Sequence, residues 1–324
     1  MPIQQMLLGG GPKPEIDGIN LLFKGQHDSS GPHLGGSLTT MWSNATLNNY
    51  SDANVNNIYT QSDFSRVGDG ILKFSLNAAS YKIYAKSGSG SGTGSWSGMT
   101  FEGTMTIVNA TNLLVLIPNH GMGNYSGGGG FYLVSGVNYS TGGNTPFLVL
   151  GGGGSGYSYA NDWGKPGSFT TATNSANHPR RGPSMGTSGV YDGGGGFENN
   201  YTIEGSNANS SLRAQHFIQG GKGGNATDCG TTWGGFGGGG GPCPGGGGGF
   251  YGGYPGGNSH DGGSGYGGSQ NWSGGQHGGG GGTSYYNPSY ISHTMTVDYG
   301  ATNSTSYATE TVAQNGYFGI HTVN

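Results

Sequence analysis

The sequence predicts an all-β protein with almost no α-helix, in which a β domain is interrupted by an inserted bundle of glycine-rich chain. Three observations support this fold class. Short apolar segments alternate with a period of two residues, which is typical of strands. The chain contains 76 Gly, many of them in runs of four or five. No stretch of ten residues has the 3.6-residue period of a helix, and each Gly inside a helix would destabilise it by about 1 kcal/mol.

The strand pattern divides the chain into four parts. One strand-like segment, Ile19–Lys24, lies in an Asn- and Ser-rich N-terminal part, which we expect to form an arm and an irregular platform over residues 1–65. Residues 66–150 form the first part of the β domain, residues 151–285 the glycine-rich insert, and residues 286–324 the closing strands. The other predicted strands are Ile71–Leu76, Tyr81–Ala85, Thr104–Val108, Leu113–Ile117, Phe131–Val134, Phe147–Leu150, Thr294–Tyr299 and Tyr317–Val323.

The composition first suggests disorder, because 76 Gly and 13 Pro exceed a quarter of the 324 residues. Against this stand 20 Tyr, 12 Phe and 5 Trp and a formal net charge of only −4, which favour packed glycine. Charged residues make up 8%, against about 25% in an average domain. This excludes a basic nucleic-acid surface, a charged coiled coil and an acidic tail.

The glycine runs predict polyglycine II helices, which have three residues per turn and no internal hydrogen bonds. Such helices survive burial only if neighbouring helices satisfy their N–H and C=O groups, so we expect parallel packing, helped by aromatic plugs or a covalent clip. Cys229 and Cys243, 14 residues apart in the most glycine-rich stretch, are predicted to form a disulfide rather than a metal site.

Catalytic motifs lack the context that their chemistry requires. Residues 151–156 match a dinucleotide-binding pattern, but no helix can follow to hold a pyrophosphate. Residues 182–186 match a nucleophile elbow without the flanking strand and helix. No His has metal-ligand spacing, and carboxylate pairs are too scarce for a glycosidase. We therefore expect no enzyme activity, no cofactor and no metal.

Aromatic side chains in the connectors between glycine runs are the candidates for receptor binding, since rigid rings on displayed loops bind sugars and protein surfaces well. The alternative is that such rings plug the glycine bundle, and this is the favoured interpretation for Trp233, Phe236 and Phe250. For Trp163, Tyr254, Tyr266 and Trp272 both interpretations stay open. The receptor-binding candidates are Tyr157, Tyr159, Trp163, Tyr254, Tyr266 and Trp272.

The N-terminus is predicted to dock onto another protein chain, the alternative being that it packs on its own domain. It has no positive n-region and its apolar part is too short for a signal peptide, and no apolar run reaches the roughly 20 residues of a membrane span. Pro12 and Pro14 would stiffen the exit from the docked segment. The proposed docking residues are Ile3, Gln4, Gln5, Met6, Leu7 and Leu8.

Two resemblances extend this interpretation. The block from Gly220 to Gly253, with Cys229 and Cys243 flanking Gly234-Gly-Phe-Gly, resembles the glycine-rich domain of the anaplastic lymphoma kinase and leukocyte tyrosine kinase ectodomains, a family that also occurs in bacteria and phages. Over residues 66–324 it implies a tumour-necrosis-factor-like, jelly-roll-type sandwich with an inserted polyglycine II bundle. Residues 1–9, Met-Pro-Ile-Gln-Gln-Met-Leu-Leu-Gly, resemble the start of structural proteins of marine tailed phages.

Phage adhesins at tail-fibre tips also use packed polyglycine II helices, with the connecting loops reading the receptor. The resemblances thus imply a non-enzymatic virion protein on the particle surface, a tail-fibre or adhesin component. Its expected partners are other virion proteins, copies of itself and a host glycan or protein, but neither nucleic acid nor a membrane. A capsid decoration protein without a recognition role is the alternative. A secreted signalling ectodomain is disfavoured by the absent signal peptide.

Overall fold

The computed structural model describes residues 20–25, 27–28, 31–39, 46–47, 61–92, 95–123, 125–141, 143–155, 169–170, 193–197, 214–224, 233–241, 245–253, 279, 281–292 and 315–323. Within these ranges the regular elements are almost all strands. They are β1 (Asn20–Lys24), β2 (His27–Asp28), β3 (Gly31–Gly35), β4 (Thr46–Leu47), β5 (Ser65–Val67), β6 (Ile71–Leu76), β7 (Ala79–Lys86), β8 (Thr100–Ile107), β9 (Thr111–Leu116), β10 (Phe131–Ser135), β11 (Thr145–Leu150), β12 (Phe169–Thr170), β13 (Ser284–Tyr286), β14 (Ile291–Ser292) and β15 (Tyr317–Val323). Two 3-10 helices, Gln61–Asp63 and Phe217–Gln219, accompany them.

The strands form two large sheets and one small one. A six-stranded sheet has the order β14-β8-β7-β15-β1-β4 and is antiparallel throughout. A seven-stranded sheet has the order β12-β13-β11-β10-β9-β6-β5 and is antiparallel except where β12 meets β13. β2 and β3 pair only with each other. The prediction of an all-β sandwich is confirmed.

The main core lies between the two large sheets, because alternate residues of each strand point inward. On β10, Phe131 and Leu133 are fully buried in it, and on β7 Ile83 is equally buried. Aromatic rings are prominent, with Phe131 stacked on Phe318 at a centroid distance of 5.8 Å and Phe64 5.2 Å from Phe74. β15 closes the sandwich by pairing over its whole length with β7.

The two sheets differ on their outer faces. On the six-stranded sheet, Lys82 and Glu102 point away from the core, form an ion pair of 2.8 Å and keep about two fifths of their side-chain surface exposed. On the seven-stranded sheet the centre of the outer face is buried, since Leu114, Leu116 and Tyr132 point outward and are fully buried. A second apolar cluster, contributed by the glycine-rich chain, covers them. The apolar run at residues 113–116 is therefore buried on both faces.

Predicted and observed strands agree closely where both can be compared. Ile71–Leu76 and Tyr317–Val323 were predicted at their observed bounds, and Ile19–Lys24 differs by one residue. The predicted strand at Thr294–Tyr299 lies outside the described residues.

Candidate functional site

The strands of the sandwich lead into glycine-rich rows at one end of the molecule. We call these rows together the glycine lattice. They are residues 87–92, 117–121, 126–130, 151–155, 193–197, 220–224, 234–241, 245–253 and 279–283 as far as the structure describes them. The first three rows precede residue 151, so the lattice draws on more of the chain than the insert predicted at residues 151–285.

Hydrogen bonds in the lattice repeat every three residues. In row 126–130, donors three residues apart bond to the same neighbouring row, and the two donors between them bond to two other rows. The four bonds join Gly127 N–H to Gly240 O, Gly128 N–H to Gly153 O, Gly129 N–H to Asn119 O, and Gly130 N–H to Gly237 O, at 2.8 to 3.0 Å. A threefold chain whose bonds all go to neighbours is polyglycine II.

The same spacing recurs between five pairs of rows. In each pair, two N–H groups three residues apart bond to two carbonyls that are also three apart. Written as N–H donor to carbonyl acceptor, the pairs of bonds are 88 to 129 with 91 to 126; 127 to 240 with 130 to 237; 152 to 248 with 155 to 245; 194 to 253 with 197 to 250; and 245 to 125 with 248 to 128. Four of the five pairs run antiparallel, so the expectation of parallel packing is wrong for them. Polyglycine II bonds equally well in either direction, because its groups project to all sides.

The rows approach too closely for any side chain. A Cβ added at Gly152 would lie against Gly128 O, and one at Gly194 against Gly247 O, each well inside the 3.0 Å that real Cβ atoms respect. The obstacle is a backbone carbonyl that is itself hydrogen-bonded, so it cannot turn away. Glycine is needed here for space and not for an unusual backbone angle.

Serine side chains accept backbone N–H groups in and beside the lattice rows. Ser87 Oγ accepts the Met99 N–H at 2.7 Å, and Ser284 Oγ accepts the Gly151 N–H at 2.9 Å. Ser155 Oγ accepts the Gly279 N–H at 3.1 Å. Each hydroxyl thus supplies the acceptor that a buried amide requires.

An aromatic layer joins the lattice to the outer face of the seven-stranded sheet. Tyr132 of β10 stacks on Phe217 at 5.1 Å, Phe217 lies 5.5 Å from Phe197, and Phe250 stacks on Tyr285 of β13 at 4.4 Å. These rings are buried. They supply large apolar area beside glycine rows that have little of their own to bury.

The Tyr132 hydroxyl ties this layer to three rows at once. It donates to Gly249 O at 3.0 Å and lies 3.4 and 3.5 Å from the carbonyl oxygens of Gly195 and Gly237. The side chain is fully buried, and this burial raises the pKa of the Tyr132 phenol. Tyr132 is thus a neutral donor at the centre of the contact between sheet and lattice.

Three aromatic residues had been assigned to packing from the sequence. Phe236 is fully buried and Phe250 nearly so, which confirms the plugging interpretation for both. Trp233 is only partly buried, with Lys222 Nζ 5.7 Å from its ring centroid. The partial burial of Trp233 leaves its assignment as a plug a prediction, and its ring also lies beside a cation.

The lattice has a far end, which we define by Ser91, Ser126, Ser155, Gly245 and Gly279. Rows 126–130 and 151–155 are continuous with β10 and β11, so Ser126 and Ser155 are their ends away from the sheet. Bonds link the other members to these two at 2.9 to 3.2 Å, from Ser91 N–H to Ser126 O, from Ser155 N–H to Gly245 O and from Gly279 N–H to Ser155 Oγ.

The opposite end of the sandwich we call the turn pole. It carries turns 77–78, 108–110, 136–144 and 287–290, the start of β1 and the end of β15. Register fixes this arrangement, because Asn20 pairs with His321 and Val323 pairs with Ser80 beside the 77–78 turn. Among the described residues, the large hydrophobic side chains that are exposed are Val108, Val137 and Val323, all at this pole.

The residues nominated from the sequence lie outside the described part of the chain. This holds for the docking residues Ile3, Gln4, Gln5, Met6, Leu7 and Leu8, for the receptor-binding candidates Tyr157, Tyr159, Trp163, Tyr254, Tyr266 and Trp272, and for Cys229 and Cys243. Two of the segments that hold them adjoin described residues. The segment 156–168 starts at Ser155 and the segment 254–278 ends at Gly279, which are hydrogen-bonded to each other.

Sequence reasoning missed Tyr125 and His216. Tyr125 is a non-glycine residue with a φ of 66°, a left-handed conformation that is uncommon for such a side chain, and its carbonyl accepts the Gly245 N–H at 2.8 Å. His216 is buried against row 193–197. The Ser-Gly-rich flanks of Tyr125 marked a row, but no local signal marked either residue itself.

No protein family matches the chain, and no curated protein matches it. In the described ranges there is no helix long and apolar enough to cross a membrane. The same ranges hold no group of three or more His, Cys, Asp or Glu side chains placed to bind a metal ion.

Proposed function

We propose that this chain is a non-enzymatic structural protein of a tailed-phage virion, a tail-fibre or adhesin component that displays the connectors of its glycine lattice for binding to a host surface. The observation that carries the proposal is the polarity of the molecule. Residues 1–19 join the sandwich at the turn pole, through Asn20, and the far end of the lattice points the other way. A chain entry point at one end and loop anchors at the other suit a protein that bridges a particle and its target.

The lattice suits display because it is rigid without large side chains. Its rows are bonded to neighbours on several sides, and Gly152 alone donates to Gly248 O and accepts from Gly282 N–H, at 2.7 and 3.0 Å. Rigid rows hold the ends of the connectors in fixed positions, which lowers the ordering cost of binding at those ends. Segments 156–168 and 254–278, which contain Trp163 and Trp272, share the edge at Ser155 and Gly279.

The weak charge also agrees with a contact surface outside the cell. With 8% charged residues and a net charge of −4, binding would depend on aromatic and amide groups rather than on electrostatic steering. The second candidate, a capsid decoration protein without a recognition role, is favoured by one observation, namely that the three exposed valines are at the turn pole and not at the far end.

The position of the protein in the particle separates the two candidates. Labelling with a specific antibody, or cryo-electron microscopy of intact virions, should place it at the distal end of the tail fibres. Signal spread over the capsid would instead support decoration, and absence from purified particles would contradict both.

Adsorption of phage to its host tests the recognition role directly. Trp163→Ala and Trp272→Ala should each lower the adsorption rate by about tenfold or more while particle assembly is unchanged, as expected for aromatic hot spots. Val137→Ala, an exposed substitution at the opposite pole, is the matched control and should adsorb normally. Normal adsorption by both tryptophan variants would count against the adhesin assignment.

A further inference from the structure

His216 is the buried imidazole that fastens one row of the lattice to the chain beside it. Its side chain lies against Gly196, and Nδ1 accepts the Gly196 N–H at 2.9 Å. The next residue completes the contact, since Phe217 N–H donates to Gly196 O at 2.9 Å. His216 is only 7% exposed. Both polar groups of Gly196 are therefore held by two consecutive residues of one segment.

This contact requires a neutral imidazole. Because Nδ1 accepts a hydrogen bond, the single ring proton of the neutral form lies on Nε2. A second proton would go to Nδ1, where it would face the Gly196 N–H and leave two donors opposed. The protonated ring would also place a charge in a site with little access to water.

The groups around the ring offer the charged form little compensation. Row 193–197 contributes only Gly and Phe, and the Lys222 ammonium on the segment of His216 lies over the Trp233 ring. Asp69 lies in the 68–70 turn near Gly220, and the structure records no ion pair between it and His216. Burial lowers the pKa of His216 below its ordinary value and outweighs a backbone hydrogen bond with Gly196 that acts in the opposite direction.

The other contacts of row 193–197 include the Tyr132 hydroxyl, which lies 3.4 Å from Gly195 O. The remaining bonds of the row go to rows 234–241 and 245–253, and Phe197 inserts its ring into the aromatic layer between Phe217 and Phe250. On either side the row continues into segments 171–192 and 198–213, which are outside the described residues. Release of Gly196 would thus loosen the row that holds two long segments of the insert.

The geometry points to His216 as an acid-sensitive latch, whose protonation in mildly acidic solution frees row 193–197 from the lattice while the sandwich stays folded. The change is a local opening rather than global unfolding, because the main core between the sheets does not include His216. The latch does not depend on the function proposed above, and its test is independent of adsorption.

Hydrogen exchange measured by mass spectrometry on the intact protein tests the latch. After correction for intrinsic exchange rates, protection of a peptide covering 193–197 should fall about tenfold or more between about pH 7.5 and about pH 5. Protection of row 126–130 should not change. Equal protection of row 193–197 at both pH values would overturn the proposal.

Two substitutions separate the latch from other acid effects. His216→Asn offers Oδ1 as an acceptor near the position of Nδ1 and cannot be protonated, so its row should stay protected at both pH values. His216→Ala should be loose at both. If His216→Asn lost protection in acid as the wild-type protein does, another group would be responsible and the proposal would fail.

Nitrogen chemical shifts give a readout that needs no variant. In ¹⁵N-labelled wild-type protein, the His216 ring should show the Nε2–H tautomer at neutral pH and should titrate together with the amide signal of Gly196. A ring that stays neutral at a pH where row 193–197 has already opened would refute the latch.

Discussion

The sandwich and the glycine lattice are stabilised by opposite means. In the sandwich, side chains fill the space between two sheets, with Phe131, Leu133 and Ile83 fully buried. In the lattice, backbones are in direct contact and each carbonyl occupies the place that a Cβ would need, as at Gly152. Removing atoms should therefore harm the sandwich, and adding them should harm the lattice. One chain thus contains two kinds of close packing, one set by side-chain shape and the other by backbone hydrogen bonds.

The largest effect should come from deleting a ring in the sandwich core. Phe131→Ala removes a fully buried side chain that stacks on Phe318 and leaves a cavity, which should lower the free energy of unfolding by about 3–5 kcal/mol. Denaturant unfolding measures this. Phe131→Leu, which keeps most of the volume, is the control and should lose clearly less stability.

Adding one methyl group to the lattice should come next. Gly152→Ala places a Cβ against Gly128 O, and because hydrogen-bonded backbone cannot yield, we expect a loss of about 2–3 kcal/mol. The matched control is Gly319→Ala on β15. There the nearest atoms are Tyr84 Cβ at 3.3 Å and Leu22 Cδ1 at 3.4 Å, so an adjustment of a few tenths of an ångström is enough and stability should change by less than about 1 kcal/mol. Equal losses in the two variants would contradict the proposed difference between the regions.

Weakening the contact between the sandwich and the lattice should lower stability by an intermediate amount. Tyr132→Phe keeps the ring in the aromatic layer and removes the hydroxyl that donates to Gly249 O, which should lower stability by about 1–2 kcal/mol. Thermal unfolding followed by calorimetry measures the loss. Tyr285→Phe is a control in the same layer, and a loss as large as that of Tyr132→Phe would show that the hydrogen bond to Gly249 has no special role.

Acid should weaken the lattice before the sandwich. The pKa of His216 is lowered in the folded protein, so the unfolded chain binds more protons, and the stabilisation is complete above the ordinary histidine value of 6.5. It is lost progressively as the pH falls from there towards the lowered pKa. Stability measured against pH should show this loss in the wild-type protein and a flatter profile in His216→Asn.

The smallest effect belongs to the exposed face of the six-stranded sheet. Glu102→Gln breaks the ion pair with Lys82, but both side chains are about two fifths exposed and salt screens them, so stability should change by less than about 1 kcal/mol. Urea unfolding at low and high salt checks this. A larger loss would mean that this face is covered in the working protein.

The fold could be predicted where the spacing of apolar residues and the local composition determine the structure within a few residues of chain. The run Ile71–Leu76 alternates strictly and was placed at its observed bounds, and Phe236 was assigned to packing and is fully buried. Rows 87–92 and 126–130 were attributed to the sandwich because they lie between good strands, although their Ser-Gly pattern was visible. The contact between Lys222 and Trp233 could not be predicted, because it depends on how two separate rows lie beside each other.

By itself the sequence determined the fold class and the presence of polyglycine II, because strand alternation and the absence of Cβ atoms act within a few residues of chain. It also determined that interactions other than ion pairs must stabilise most of the protein, because only 8% of its residues are charged. The tertiary structure alone decided which rows are neighbours, in which direction they run and that Tyr132 and His216 fasten them to the rest of the molecule. Glycine runs are alike in sequence, so their pairing is chosen by distant strands and aromatic rings that fix each row in register.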